Sequence, residues 1–197
     1  MTLSEKSSRP ALWVFFGLIA SGKSTLAARW AEENGYDHYN SDVERKRLAG
    51  LAPDASVEEA AGAGIYSGEF TRRTYDRLLD LAETSLKNGR PVIVDASYSK
   101  REERERVMAL AKRLGVGCFF LHCYCSDDEV KRRLVARKLD PEAVSDGRMD
   151  IYLMQKKGFE PPDELDEARL VSFDTEHPIE VLLEKFDRIA AGVDRVK

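Results

Sequence analysis

Cysteine and histidine are scarce in this 197-residue chain, three of each, and neither type is grouped. Cys118, Cys123 and Cys125 lie in or beside one apolar run without metal or disulfide spacing, which leaves buried, reduced thiols as the reading. His38, His122 and His177 are far apart and make no cluster. No apolar stretch approaches a membrane span, and the polar first ten residues lack the apolar core of a signal peptide, so a cytoplasmic location is expected. Excess positive charge is also missing. The formal net charge is −4, which argues against a general basic surface that coats nucleic acid but leaves room for a local basic site. Repeats, low-complexity tracts and linkers are absent too. The length suits one domain with a proper core, and residues 1–197 are read as such.

What is present centres on Gly17-Leu18-Ile19-Ala20-Ser21-Gly22-Lys23-Ser24-Thr25, which reads G-x-x-x-x-G-K-S. The apolar run Leu12-Trp13-Val14-Phe15-Phe16 before it looks like a buried strand. After it, Leu26, Ala27, Trp30 and Ala31 fall on one face of a helix that stops at Asn34-Gly35. Strand, glycine loop and helix are the context that a phosphate-binding loop requires. Gly17 and Gly22 let the backbone curl so that N–H groups point inward, and the helix adds its unsatisfied donors and positive dipole end. Lys23 then reaches the β- and γ-phosphates, and the Ser24 hydroxyl holds Mg²⁺. With Ala20, Ser21 and Thr25, these residues form the expected site for a nucleoside triphosphate.

The rest of the chain alternates strands with helices. Residues 36–40 read as a second strand, and Ser41-Asp42 opens a charged helical segment. Residues 50–64 read as a connection around a short helix at 57–61. A long helix follows Ser67, with Tyr75, Leu78, Leu79, Ala82 and Leu86 at helical spacing, and ends at Asn88-Gly89. Residues 91–95 form the third strand. Ser99 with Glu102 and Ser126 with Glu129 read as capping boxes for the helices either side of a fourth strand, 116–124. Pro141 breaks the second of these helices, Ser145-Asp146 caps another that reaches about Lys157, residues 170–173 form a fifth strand and Pro178 opens the last helix. Continuous apolar strands alternating with helices predict an α/β sandwich, a parallel sheet covered on both faces. Its ligand should lie beyond the carboxyl ends of the strands.

The third strand ends Asp95-Ala96, without the Asp-Glu pair of a water-activating ATPase. Asp-x-x-Gly at that place and a later Asn-Lys-x-Asp run, which a guanine-specific switch needs, are also missing. These absences favour transfer to an acceptor hydroxyl. Asp42, beyond the second strand, is the candidate base, the plainer reading being that it caps its helix. Arg45 shares its helix face and can bind the acceptor or the moving phosphoryl group. Asp95 can orient Mg²⁺ through water, bind the acceptor, or brace the loop. Arg133 and Arg137, four apart, suit the charge of a phosphoryl group in flight. Equally, they belong to a solvated face paired with Asp127, Asp128 and Glu129.

With Gly17 to Thr25, Ser41-Asp42-x-x-Arg45-Lys46, Tyr66 with Thr74-Tyr75, Val92-Ile93-Val94-Asp95-Ala96, Arg133 with Arg137, and Ser145-Asp146 with Gln155, the chain resembles the small P-loop kinases grouped with zeta-toxin-like kinases and phage polynucleotide kinase. It is most similar to a bacterial branch of ATP-binding kinases, some fused behind an aminoglycoside-phosphotransferase-like domain. The resemblance implies a P-loop NTPase sheet of order 2-3-1-4-5, a small helical lid at about residues 127–160, and ATP with Mg²⁺. It makes the acid at Asp42 the base, has the arginine at Arg45 bind and activate, and has those at Arg133 and Arg137 close over the phosphates. It carries no substrate. A kinase for a small-molecule or nucleotide hydroxyl is therefore expected. A 5′-hydroxyl polynucleotide kinase, a zeta-like toxin, and a nucleotide-sensing module or slow ATPase stand as alternatives.

Overall fold

The structure, a computed structural model, describes residues 10–55, 57, 62–138 and 149–193. Five strands, β1 (Ala11–Phe16), β2 (Asp37–Asn40), β3 (Val92–Asp95), β4 (Gly117–Tyr124) and β5 (Leu170–Asp174), form one sheet in the order β2-β3-β1-β4-β5. Every pairing is parallel. The helices are α1 (Lys23–Asn34), α2 (Ser41–Leu48), α3 (Gly68–Lys87), α4 (Arg101–Leu114), α5 (Asp127–Lys138), α6 (Met149–Gly158) and α7 (Ile179–Val193), with a 3-10 turn at Gly64–Tyr66.

Parallel strands covered on both faces must be apolar throughout, and β1 is buried at all six positions. Alternate side chains enter two cores. Leu12, Val14 and Phe16 join Tyr75, Leu78, Ala82, Val107 and Leu110 under α3 and α4. Trp13 and Phe15 meet Trp30, Leu182, Leu183 and Phe186 under α1 and α7. The α/β sandwich and its strand order are as expected. No helix among the described residues is long and apolar enough to cross a membrane.

Register aligns the ends that matter. Asn40 lies beside Asp95, Asp95 beside Phe15, and Phe15 beside Leu121. The segments that follow, bearing Gly17, Asp42 and Ser97, therefore leave the sheet along one edge.

Two helix starts differ from expectation. The cap of α2 is Asn40, not Ser41-Asp42; its side chain accepts from Asp42 N (2.9 Å) and Val43 N (3.1 Å). The cap of α4 is Lys100, whose N–H donates to Glu103 (3.2 Å), one residue later than the Ser99–Glu102 box. A remote group moves that start. Glu160 accepts from Arg101 N at 2.8 Å while its own N–H donates to Ser99 O at 2.9 Å. Ser126 does accept from Glu129 N (3.3 Å) at the start of α5. The helix expected at 57–61, Pro141 and the cap at Ser145-Asp146 fall wholly or mostly outside the described residues.

Candidate active site at the phosphate-loop edge

The loop between β1 and α1 is shaped by what it touches. Gly17 has φ +144°, and a Cβ there would lie 2.1 Å from the Cys123 carbonyl oxygen, so no other residue fits. Its N–H donates to Ser97 O at 3.3 Å, beyond β3. Gly22 has φ +80° and caps α1 without a side-chain hydrogen bond; no acid stands in the first turn of α1. That helix start keeps its free N–H groups and positive dipole end, which suits an anion. Lys23 lies at this place, its Nζ 3.3 Å from Leu18 O.

Braces hold the loop from outside. Arg133 Nη1 donates to Ala20 O (3.2 Å) and Thr175 Oγ1 (2.9 Å), Nη2 to Thr175 O (2.7 Å) and Nε to Glu129 (2.6 Å). The Thr175 hydroxyl donates to Ser21 O at 2.7 Å. From α6, Gln155 Oε1 accepts from Ile19 N at 2.8 Å, and Ile151 and Tyr152 pack with Ile19, Ala20, Val130 and Leu134. Ala20 stands at φ +62°, an uncommon conformation for a residue with a Cβ, and is held there by these contacts. Thr25 is exposed on the first turn of α1.

The acids lie on the β2–β3 side. Asp95 is fully buried, and its Oδ1 has no hydrogen-bond partner among the described residues. Burial pushes its carboxyl up, but His38 at 3.6 Å, the Lys23 ammonium and the Ser24 hydroxyl outweigh that and hold it below the usual carboxylate range. Asn40 Nδ2 donates to Asp95 Oδ2 at 2.6 Å and to Ser24 Oγ at 3.2 Å. A buried carboxylate with one free oxygen, linked through an amide to a loop serine, is a hard oxygen set that fits Mg²⁺.

Asp42 is not the cap of α2, so that plainer reading falls. Its backbone N–H is bound by Asn40, and its side chain makes no hydrogen bond among the described residues. Opposite stands Arg137. Burial draws its guanidinium down, Asp42 and Asp95 pull it back up, and Arg133 opposes them; like any arginine it stays cationic. Arg137 is half-buried and makes no hydrogen bond among the described residues. Arg133 does pair with Glu129, as the plainer reading had it, but Arg137 pairs with none of these acids among the described residues; the solvated face of α5 is formed by Lys131 with Asp128 and Arg132 with Glu129.

Arg45 stands apart. It is 7% exposed, donates to Ile65 O (2.7 Å) and Thr71 Oγ1 (3.1 Å), and lies over the Tyr66 ring at 5.3 Å. Those contacts tie α2 to the start of α3. Sequence reasoning missed Asn40, Thr175 and the bond from Gln155 to the loop. Only Asn40 left a signal, as a good capping residue before a charged segment.

Two cavities flank the loop. One, about 350 Å³, is lined by Gly22, Thr25, Arg133, Arg137, His177 and Ile179, and opens beside the first turn of α1. The other, about 260 Å³, lies under α6 between Leu18, His122, Tyr152 and Phe159.

A family model described as AAA domain matches residues 12–162. No curated protein matches the chain. Among solved structures, a gluconokinase from Sinorhizobium meliloti is 18% identical, covering 95% of this chain and 94% of its own, with TM-score 0.64. The Mycobacterium tuberculosis APS kinase in complex with AMPPNP and APS is 20% identical over 93% of this chain and 98% of its own, TM-score 0.62. A shikimate kinase from Acinetobacter baumannii, in complex with shikimate, is 16% identical over 97% of each chain, TM-score 0.59. These likenesses show that the chain shares the α/β fold of those proteins.

Proposed function

We propose that this chain, which belongs to the AAA domain family, is a cytoplasmic ATP-dependent kinase of the zeta-toxin and polynucleotide-kinase-like group, acting on a hydroxyl of a small molecule or nucleotide. Residues 1–197 form one domain in this reading. The observation that carries it is the open start of α1, with Lys23 in its first turn and no acid there, beside buried Asp95, whose carboxylate is stabilised by the Lys23 charge and keeps one oxygen without a partner among the described residues. Its solved neighbours include kinases for gluconate, APS and shikimate, which agrees with the reaction class.

The residues divide the work. The loop from Gly17 to Thr25, with Ala20, Ser21 and Gly22 at the bend, receives the phosphates through the main-chain N–H groups that are not already held, and Lys23 neutralises the β–γ oxygens. Those of Gly17, Ile19 and Ser21 are bonded to Ser97, Gln155 and Leu18. The nucleotide's remaining part enters the cavity beside Arg133, His177 and Ile179, next to the same helix start. Ser24 and Asp95 would hold Mg²⁺, which when bound screens the charge on the β- and γ-phosphates. Asp42 accepts the acceptor's hydroxyl proton while the new O–P bond forms and the bond to the leaving oxygen of ADP breaks. Arg137, which makes no hydrogen bond among the described residues, faces the charge that develops on the phosphoryl oxygens. Arg133 is engaged by the Ala20 carbonyl, Thr175 and Glu129, so its part is to hold the loop. Arg45 holds the wall on the acceptor side.

Labelled ATP offered with a panel of sugars, nucleosides, aminoglycosides and 5′-hydroxyl oligonucleotides tests the reading. Asp42→Asn is expected to lower transfer to the acceptor found by about 10²–10⁴-fold, with ATP affinity within a few fold. Wild-type turnover in that variant would show that Asp42 is not the base.

A further inference from the structure

We propose that Asn40 is a positioning residue that fixes the base, Asp42, and the metal-facing pair, Ser24 and Asp95, in a single frame. The inference rests on the kinase reading above and deepens it. Among the described residues, Asn40 is the one side chain bonded to both halves of the site.

A primary amide offers an oxygen with two lone pairs and a nitrogen with two hydrogens, and here all four are in use. Oδ1 accepts from Asp42 N (2.9 Å) and Val43 N (3.1 Å); two backbone donors on that atom fix which end of the amide is oxygen. Nδ2 donates to Asp95 Oδ2 (2.6 Å) and Ser24 Oγ (3.2 Å). Capping a helix uses the oxygen alone, and serine or aspartate caps about as well. The nitrogen is surplus to that task. It reaches a fully buried carboxylate through a charge-assisted bond and leaves Oδ1 of that carboxylate as the unpartnered oxygen. The pairing of Asn40 with Asp95 across the sheet sets both side chains at the same level of the edge. The start of α2, and Asp42 with it, is thereby tied to Ser24 and Asp95 through a single planar group. An aspartate at this position would cap α2 but would set a second carboxylate against Asp95, which like charges disfavour.

Asn40→Ser separates the two tasks, since it keeps a capping oxygen and removes both Nδ2 donors. Binding of the non-hydrolysable analogue AMPPNP is measured by calorimetry at increasing Mg²⁺, and thermal stability is followed in parallel. For Asn40→Ser the expected result is a melting temperature a few degrees below wild type, because Asp95 loses a donor while α2 keeps its cap, and metal-free affinity within about twofold. The Mg²⁺ concentration that half-saturates the metal-dependent tightening should rise about tenfold or more, as loss of a charge-assisted bond implies. An Mg²⁺ curve that overlays wild type would make Asn40 a cap and nothing else. Should the variant not fold, the side-chain amide of Asn40 in ¹⁵N-labelled wild type decides. Slow exchange, with a shift when Mg²⁺ joins the bound analogue, supports the proposal, and a fast-exchanging, Mg²⁺-insensitive pair overturns it. Wild type that binds no analogue with Mg²⁺ sinks the kinase reading as well, whereas normal wild-type binding with an unmoved variant sinks this inference alone.

Discussion

Two helices start side by side at the carboxyl edge of the sheet and are finished in opposite ways. The start of α2 is closed: Asn40 caps it, and Asp42 and Glu44 fill its first turn. The start of α1 is left open: Gly22 offers no side chain, no acid follows, and Lys23 adds positive charge. Capping and first-turn acids each stabilise a helix by about 1 kcal/mol or less, so α1 forgoes stabilisation that α2 has. The difference shows where a ligand belongs. The open end awaits an anion, and the closed end presents a carboxylate, Asp42, whose backbone N–H is held by Asn40.

The largest blow to this contrast is Lys23→Ala. Removing the cation carried by the first turn of α1 itself should weaken ATP binding by roughly 100-fold, as loss of a partner from a charge pair does, and carry transfer below detection. Asp42→Asn, on the closed side, should do the reverse and spare affinity. Calorimetry with AMPPNP on both variants makes the comparison; equal losses of affinity in the two would break it.

Next in size is a contrast between the glycines that flank α1. Gly17 leads into the loop before its open start, and Gly35 ends it with φ +67° and no atom within 4 Å of an added Cβ. Gly35→Ala should cost about 1 kcal/mol, the ordinary price of a left-handed alanine. Gly17→Ala must displace the Cys123 carbonyl as well, and should cost about 3 kcal/mol or more. Urea melts of the two variants check the difference.

The parts of this site differ in how far the sequence revealed them. The loop from Gly17 to Thr25 was legible because its constraints are local: glycines for the bend, an apolar strand before, one helix face after. The strands were legible because burial on both faces leaves continuous apolar runs such as residues 12–16. Asn40 was not, since its partners Ser24 and Asp95 are 16 and 55 residues away and meet it only through strand pairing. Gln155 is 136 residues from the Ile19 amide that it holds. At α4 the local pattern pointed to Ser99 and Glu102, and Glu160, some 60 residues on, moved the start by one residue. Arg45 was legible in its helix-face neighbourhood with Asp42 but not in its depth, because the turn that covers it, Gly64–Tyr66, follows a connection without clear periodicity. Interactions set by chain-distant groups carry no local pattern to read.

The smallest expected effect gives the sharpest test, because its two readouts move in opposite directions. Thr25 is exposed on the first turn of α1, so Thr25→Asp gives α1 the first-turn acid that α2 already has. In the free protein the new carboxylate meets the unsatisfied N–H groups and dipole end, and should add about 0.3–1 kcal/mol of stability at low salt. The same charge repels the incoming polyphosphate and should weaken ATP by about tenfold, less as salt rises. Lys23 partly offsets that repulsion, which keeps the loss well short of that in Lys23→Ala. A variant that melts higher and binds less would show that α1 trades stability for an anion site. If it melted higher and bound ATP as before, the anion would have to sit elsewhere, and the contrast between the two helix starts would carry no functional meaning.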